Sequence, residues 1–88
     1  MEAGYDGVEL HGSHGYLIEQ FISPHANKRT DEFGGNFERR MNVPVSIIQG
    51  IHKLLGADFP VGFKFSAWEE VTGGIDFKLA KNIARRMV

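Results

Sequence analysis

The sequence predicts an α/β fold of parallel strand–loop–helix units, forming a segment of a larger domain. Three observations predict it. The 88 residues run strand, loop, helix, then strand, loop, helix again, an order that argues for parallel βαβ connections with right-handed crossovers. Both strand patterns end in polar, chemically capable residues followed by long loops, whereas the opposite ends, "GYD" and "GADF", are short. Two strands can neither close a barrel nor cover both faces of a parallel sheet, and the chain opens just before a strand and stops inside or just after a helix.

The first strand falls in "DGVELHG", residues 6–12, where Val8 and Leu10 alternate with Glu9 and His11. "YLIEQFI" is apolar enough for one or two helical turns. Residues 23–36, "SPHANKRTDEFGGN", are rich in Pro, Asn, Asp and Gly and read as a long loop. A helix follows, with Asn36 as N-cap and Glu38 in its first turn. Its apolar stripe comprises Met41, Val45, Ile48 and Leu55 with Ile47, Ile51 and Leu54, and Gly56 is its natural stop. Pro44 either kinks this helix or marks its true first residue. The second strand falls in "FPVGFKFS", residues 59–66, and "AWEEVTGG" is a second loop. A final helix starts around Asp76, a good N-cap, and runs through the apolar Phe77, Ala80, Ile83, Ala84 and Met87.

The totals exclude several classes. A formal net charge of −1 offers no bulk attraction to nucleic acid or to an anionic membrane, and neither partner is expected. Without cysteine the chain has no disulfide, thiolate nucleophile or cysteine metal site. No apolar run approaches the roughly 20 residues of a membrane span, and the acidic start has no signal-peptide core. A cytoplasmic location is expected.

Chemistry in α/β folds gathers at the carboxyl ends of strands. Here those ends are "HGSHGY", residues 11–16, and Lys64-Phe65-Ser66. If Val8 and Leu10 pack outward, Glu9 and His11 point inward; likewise Val61, Phe63 and Phe65 point outward, Gly62 and Lys64 inward. His11 and Lys64 then share one surface, and Glu9, a layer below, could pair with Lys64. The spacing of His11 and His14 leaves three readings open: a metal-chelating pair, two donors to an anionic or carbonyl oxygen, or two unrelated histidines. Zinc would need a third ligand, and neither Glu19 nor Asp31 falls at a recognised spacing. Tyr16 is either a core tyrosine or a proton donor, since a phenol keeps its proton at neutral pH. The alternating charges of Lys28, Arg29, Asp31 and Glu32 read as a solvated loop with local ion pairs, and "TGGID" is not a phosphate loop.

The run "AGYDGVELHGSHGYLIEQFISPHANKRTDEFGGNFERRM" closely resembles the flavin-dependent ene-reductases of the Old Yellow Enzyme family, which includes 2,4-dienoyl-CoA reductases and related NADH:flavin oxidoreductases; "ADFPVGFKFS" matches that family's next barrel strand. The resemblance covers essentially the whole chain. It implies a TIM (β/α)8 barrel of which residues 1–88 are a partial FMN-binding domain, holding about two βα units, strands four and five. It implies FMN as cofactor, NAD(P)H as reductant, and a small α,β-unsaturated carbonyl compound as substrate. His11 and His14 would hydrogen-bond the substrate carbonyl oxygen, Tyr16 would protonate the α-carbon, and Lys64 and His11 would contact the flavin. Lys64 stands where many members carry Arg, keeping the charge and losing the planar fork. Many relatives have Asn at the position of His14. Phe33 stands where Tyr or Trp is frequent, and Ser13 replaces a common Ala, a difference expected to be harmless. No metal is assigned within the segment; an iron–sulfur cluster, found in larger members, would lie beyond it, and the resemblance leaves room for a homo-oligomer. Two alternatives stand beside this reading: a catalytically silent structural fragment, and a metal-dependent TIM-barrel hydrolase using the His pair.

Overall fold

The computed structural model describes residues 2–88. Strand β1 (Val8–Gly12) leads into a short helix, α1 (Leu17–Ile22). The long loop then delivers two successive helices, α2 (Phe37–Arg40) and α3 (Asn42–Leu55). Strand β2 (Val61–Phe65) and helix α4 (Phe77–Arg86) complete the chain. The strands pair in parallel, Val8 beside Val61 through Gly12 beside Phe65, joined by a helical crossover.

The two faces of this sheet differ as the alternation predicts. Phe63 and Phe65 point to the helical side and pack on a core of Ile22, Met41, Ile75, Ala80 and Ile83. Glu9, His11, Gly62 and Lys64 are exposed on the other side. The expected Glu9–Lys64 pair does not form. In this register Glu9 lies beside Gly62, and the neighbour of Lys64 is His11. Glu9 is only a diagonal neighbour, and an exposed pair at that position gains too little to order two long side chains.

Gly12 fixes the strand pair. A β-carbon there would lie 2.7 Å from the Phe63 ring and 3.0 Å from the Lys64 carbonyl oxygen. Only hydrogen at this position lets the ring lie across the end of β1 while the strands stay in register.

The predicted single helix is two. Asn36 does cap, its side chain accepting from the Arg39 N–H at 3.0 Å, but regular winding stops at Met41. Pro44 is the cause: it has no N–H for the carbonyl one turn back, so a helix is easily interrupted there. It sits buried as the third residue of α3, in the first turn, where a missing N–H costs nothing. Gly56 ends α3 at φ 99°, its N–H donating to the His52 carbonyl at 2.9 Å. Asp76 caps α4 by accepting from the Leu79 N–H at 2.8 Å. Phe77 leaves the predicted stripe: it is 64% exposed and packs on Trp68, ring centroids 4.8 Å apart.

The long loop is ordered by its polar side chains. Asn27 donates through Nδ2 to the carbonyls of Phe21 and Phe33, at 2.6 and 2.8 Å, and accepts from the Arg29 N–H at 3.0 Å. Arg29 pairs with Asp31 and stands over the Phe21 ring. Glu69 takes hydrogen bonds from the Ser23 hydroxyl at 2.6 Å and the Ile75 N–H at 2.8 Å, tying the loop after β2 to the end of α1.

Two outcomes are expected of the full-length protein. Gly12→Ala overpacks the Phe63 ring and lowers stability by about 1–3 kcal/mol, read from the urea midpoint at unchanged slope. The Asp31 carboxyl is held below its ordinary range by the Arg29 hydrogen bond first and the Phe33 N–H second. A depressed carboxylate stabilises the fold above its ordinary value and loses that contribution as pH falls through the depressed one. Hydrogen-exchange protection of the Phe33 amide should therefore persist as the pH is lowered to the ordinary carboxylate range and be lost only below it; protection that persists in Asp31→Ala would show that the carboxylate is not its source.

Candidate active site

The end of β1 and the turn after it build the site. His11 is the last inward-facing strand residue, with Lys64 beside it across the sheet. The chain then reverses through two left-handed residues, His14 at φ 60° and Gly15 at φ 74°. Glycine enters that region freely, and His is among the few other residue types enriched there. The Gln20 side chain fastens the turn from α1, donating to the Gly15 carbonyl at 2.7 Å. From the other strand Ser66 accepts a long hydrogen bond, 3.4 Å, from the His14 N–H.

The turn brings three rings together. The His11 ring lies 5.3 Å from that of His14, edge to face, and 5.4 Å from that of Tyr16, centroid to centroid. Tyr16 is 63% exposed, so it is not a core tyrosine. Lys64 has no acidic partner; the ion pairs among the described residues are Arg29–Asp31 and Arg86–Glu38. His11 and Lys64 thus share one open face as the strand alternation expected, and the turn brings the rings of His14 and Tyr16 beside that of His11. A cleft of about 210 Å³ lined by Leu17, Phe21, Asn27 and Arg29 among others has none of these four residues in its lining.

No three side chains among His, Asp and Glu converge as a metal-binding group among the described residues. Glu19 is 7% exposed within α1, and Asp31 is bound to Arg29 in the loop. One Glu19 carboxylate oxygen has no hydrogen-bond partner, a feature the sequence did not announce. Nor did it announce that Ser13, 3% exposed, places its hydroxyl 3.2 Å from His11 Nδ1. The signal was available: period two carried one step past the strand puts residue 13 on the side of residue 11. Ser13 is therefore not the neutral replacement for Ala that the sequence comparison suggested.

The structure thus places this cluster of polar side chains on parallel strands joined by a helical crossover, an α/β arrangement. The sequence profile of the NADH:flavin oxidoreductase / NADH oxidase family matches residues 1–86, and the chain belongs to that family. It is 52% identical over 85 residues to an NADH oxidase of Thermoanaerobacter brockii, covering 97% of this chain and 13% of the relative. It is 44% identical over 79 residues to an NADH:acrylate oxidoreductase of Vibrio harveyi, covering 85% of this chain and 8% of the relative. Among solved structures, a 2-naphthoyl-CoA reductase in complex with 2-naphthoyl-CoA superimposes with a TM-score of 0.90 at 35% identity, over 97% of this chain and 13% of the other. The chain thus spans about an eighth or less of each of these proteins. No helix among the described residues is long and apolar enough to cross a membrane.

The left-handed turn sets a test. His14→Asn should leave stability within about 0.5 kcal/mol of the parent. His14→Val, β-branched and ill suited to positive φ, should lower it by about 1–2 kcal/mol. Thermal unfolding of the full-length protein reads the difference, and equal losses in the two variants would show that the backbone does not constrain this position.

Proposed function

We propose that this chain supplies strands four and five of a TIM-barrel, FMN-dependent NAD(P)H oxidoreductase that reduces activated C=C bonds of enones, enoates or enoyl thioesters. The observation that carries the reading is the convergence of the His11, His14 and Tyr16 rings within 5.3–5.4 Å on the open face beside Lys64. Family membership supports it. So do an acrylate-reducing relative and a structural neighbour holding an aromatic thioester, both conjugated carbonyl compounds.

The residues present suit a flavin. Lys64 is a cation without an acidic partner among the described residues, and Gly62, two residues before it, adds no side chain of its own to that face, where a β-carbon would only touch the Glu9 side chain at 3.7 Å. Lys64 and His11 would hold the cofactor, Lys64 offering positive charge to an electron-rich ring as a point charge rather than a fork. FMN, when bound, supplies the hydride. The chain's own part is polarisation and proton delivery. Imidazole N–H groups of His11 and His14 bind the substrate carbonyl oxygen and draw charge onto it, leaving the β-carbon electron-poor. An oxyanion donor of this kind contributes about 2.7–4 kcal/mol to the barrel-mouth chemistry. Tyr16 holds a proton on its phenolic oxygen and delivers it to the α-carbon, neutralising the developing carbanion.

The test is Tyr16→Phe in the full-length, flavin-loaded protein. Alkene reduction should slow by about 10²–10⁴-fold while reduction of the flavin by NAD(P)H is unchanged. Equal rates in both half-reactions would remove Tyr16 as the acid.

A further inference from the structure

We infer that Ser13 is a positioning residue that sets the tautomer of His11 and so makes its outward nitrogen a hydrogen-bond donor; the inference rests on the carbonyl-clamp reading above. Ser13 is 3% exposed, so its hydroxyl has no access to bulk water. Its one side-chain hydrogen bond is to His11 Nδ1, at 3.2 Å. A neutral imidazole carries one proton, and the contact can run in two directions. If Nδ1 carried the proton and donated to Ser13, the hydroxyl would have its own proton left over, buried and without an acceptor. If the hydroxyl donates to a bare Nδ1, both groups are satisfied. Buried donors without partners are rare because water's hydrogen bond is lost and not replaced, so the second arrangement is the one the site selects.

The consequence falls on the far side of the ring. With Nδ1 occupied as an acceptor, the proton sits on Nε2. His11 is exposed, and Nε2 has no hydrogen-bond partner among the described residues. That nitrogen is the one able to offer an N–H to an oxygen arriving on the open face. The opposite tautomer would present a lone pair there and repel a carbonyl oxygen. Ser13 also holds the ring's rotation, because a donor two residues away along the strand direction fixes where Nδ1 points. Ser13 therefore touches neither substrate nor flavin and acts through His11. Alanine at this position would leave the imidazole free to choose its tautomer and its rotamer.

The experiment uses the full-length, flavin-loaded protein with ¹⁵N-labelled histidine. Two-bond ¹⁵N–¹H correlation distinguishes the tautomers, and the His11 signals are assigned by their loss in His11→Ala. At a pH where the ring is neutral, the native protein should show Nε2–H for His11, and Ser13→Ala should show a mixture of the two tautomers. Phenol, the probe for the clamp, should bind roughly threefold to tenfold more weakly to Ser13→Ala, as expected for the loss of one supporting hydrogen bond. Nδ1–H in the native protein, or an unchanged tautomer in Ser13→Ala, overturns the assignment. Phenol affinity unchanged in both Ser13→Ala and His11→Ala overturns the clamp reading itself. Affinity lost only in His11→Ala retains the clamp and overturns the role given to Ser13.

Discussion

The parallel register of β1 and β2 is the constraint on which the site depends. It places His11 opposite Lys64, and it is held where Phe63 lies across a position that can carry no side chain. A slip of either strand by one residue would turn its own polar residue, His11 or Lys64, into the helical core and bring Leu10 or Phe63 to the open face. The same apolar set that closes the core thus aims the polar set outward. Packing and chemistry are two readings of a single alternation, which is why neither can be altered alone.

Around that pair the structure uses polar side chains where regular backbone pairing gives out. Asn27 bonds two backbone groups of the long loop and one at the end of α1, and Glu69 links the second loop to Ser23 at the end of α1. At the end of α2, just before the break at Met41, the Arg40 side chain donates to the Ile22 carbonyl at 2.9 Å and the Gly35 carbonyl at 2.8 Å. The buried apolar cluster among the described residues is small, so these polar ties carry a larger share of the loop's order than they would above a deep core.

Features encoded within a few residues were legible in the sequence. The βα order, the caps at Asn36 and Asp76, the stop at Gly56 and the inward placing of His11 and Lys64 each follow from local chemistry or from period two. The family was legible as well, because a long run of residues carries it. What was not legible depended on relations between distant segments. Glu9 seemed a partner for Lys64 until the register made His11 the neighbour instead. Pro44 admitted two readings, a kink or a first helical residue; the winding breaks at Met41, and Pro44 is the third residue of α3, not the first. Phe77 fits a helical stripe, but Trp68, nine residues earlier, offers it a ring to pack on. Ser13 looked inert because comparison with Ala weighs size and polarity, whereas its part in the structure is a hydrogen bond to the residue two before it.

The positive φ of His14 reaches beyond the turn itself. The backbone screens what this position can hold before chemistry does, admitting the few side chains at ease in the left-handed region. Histidine and asparagine both pass, and both carry an N–H donor, yet only one of them gains charge as the surroundings turn acidic. The scaffold therefore tolerates a switch between a proton-sensitive and a proton-indifferent donor at one corner of the site. Two proteins sharing this turn could part company in their acid tolerance through one exchange, with the barrel around them unaltered.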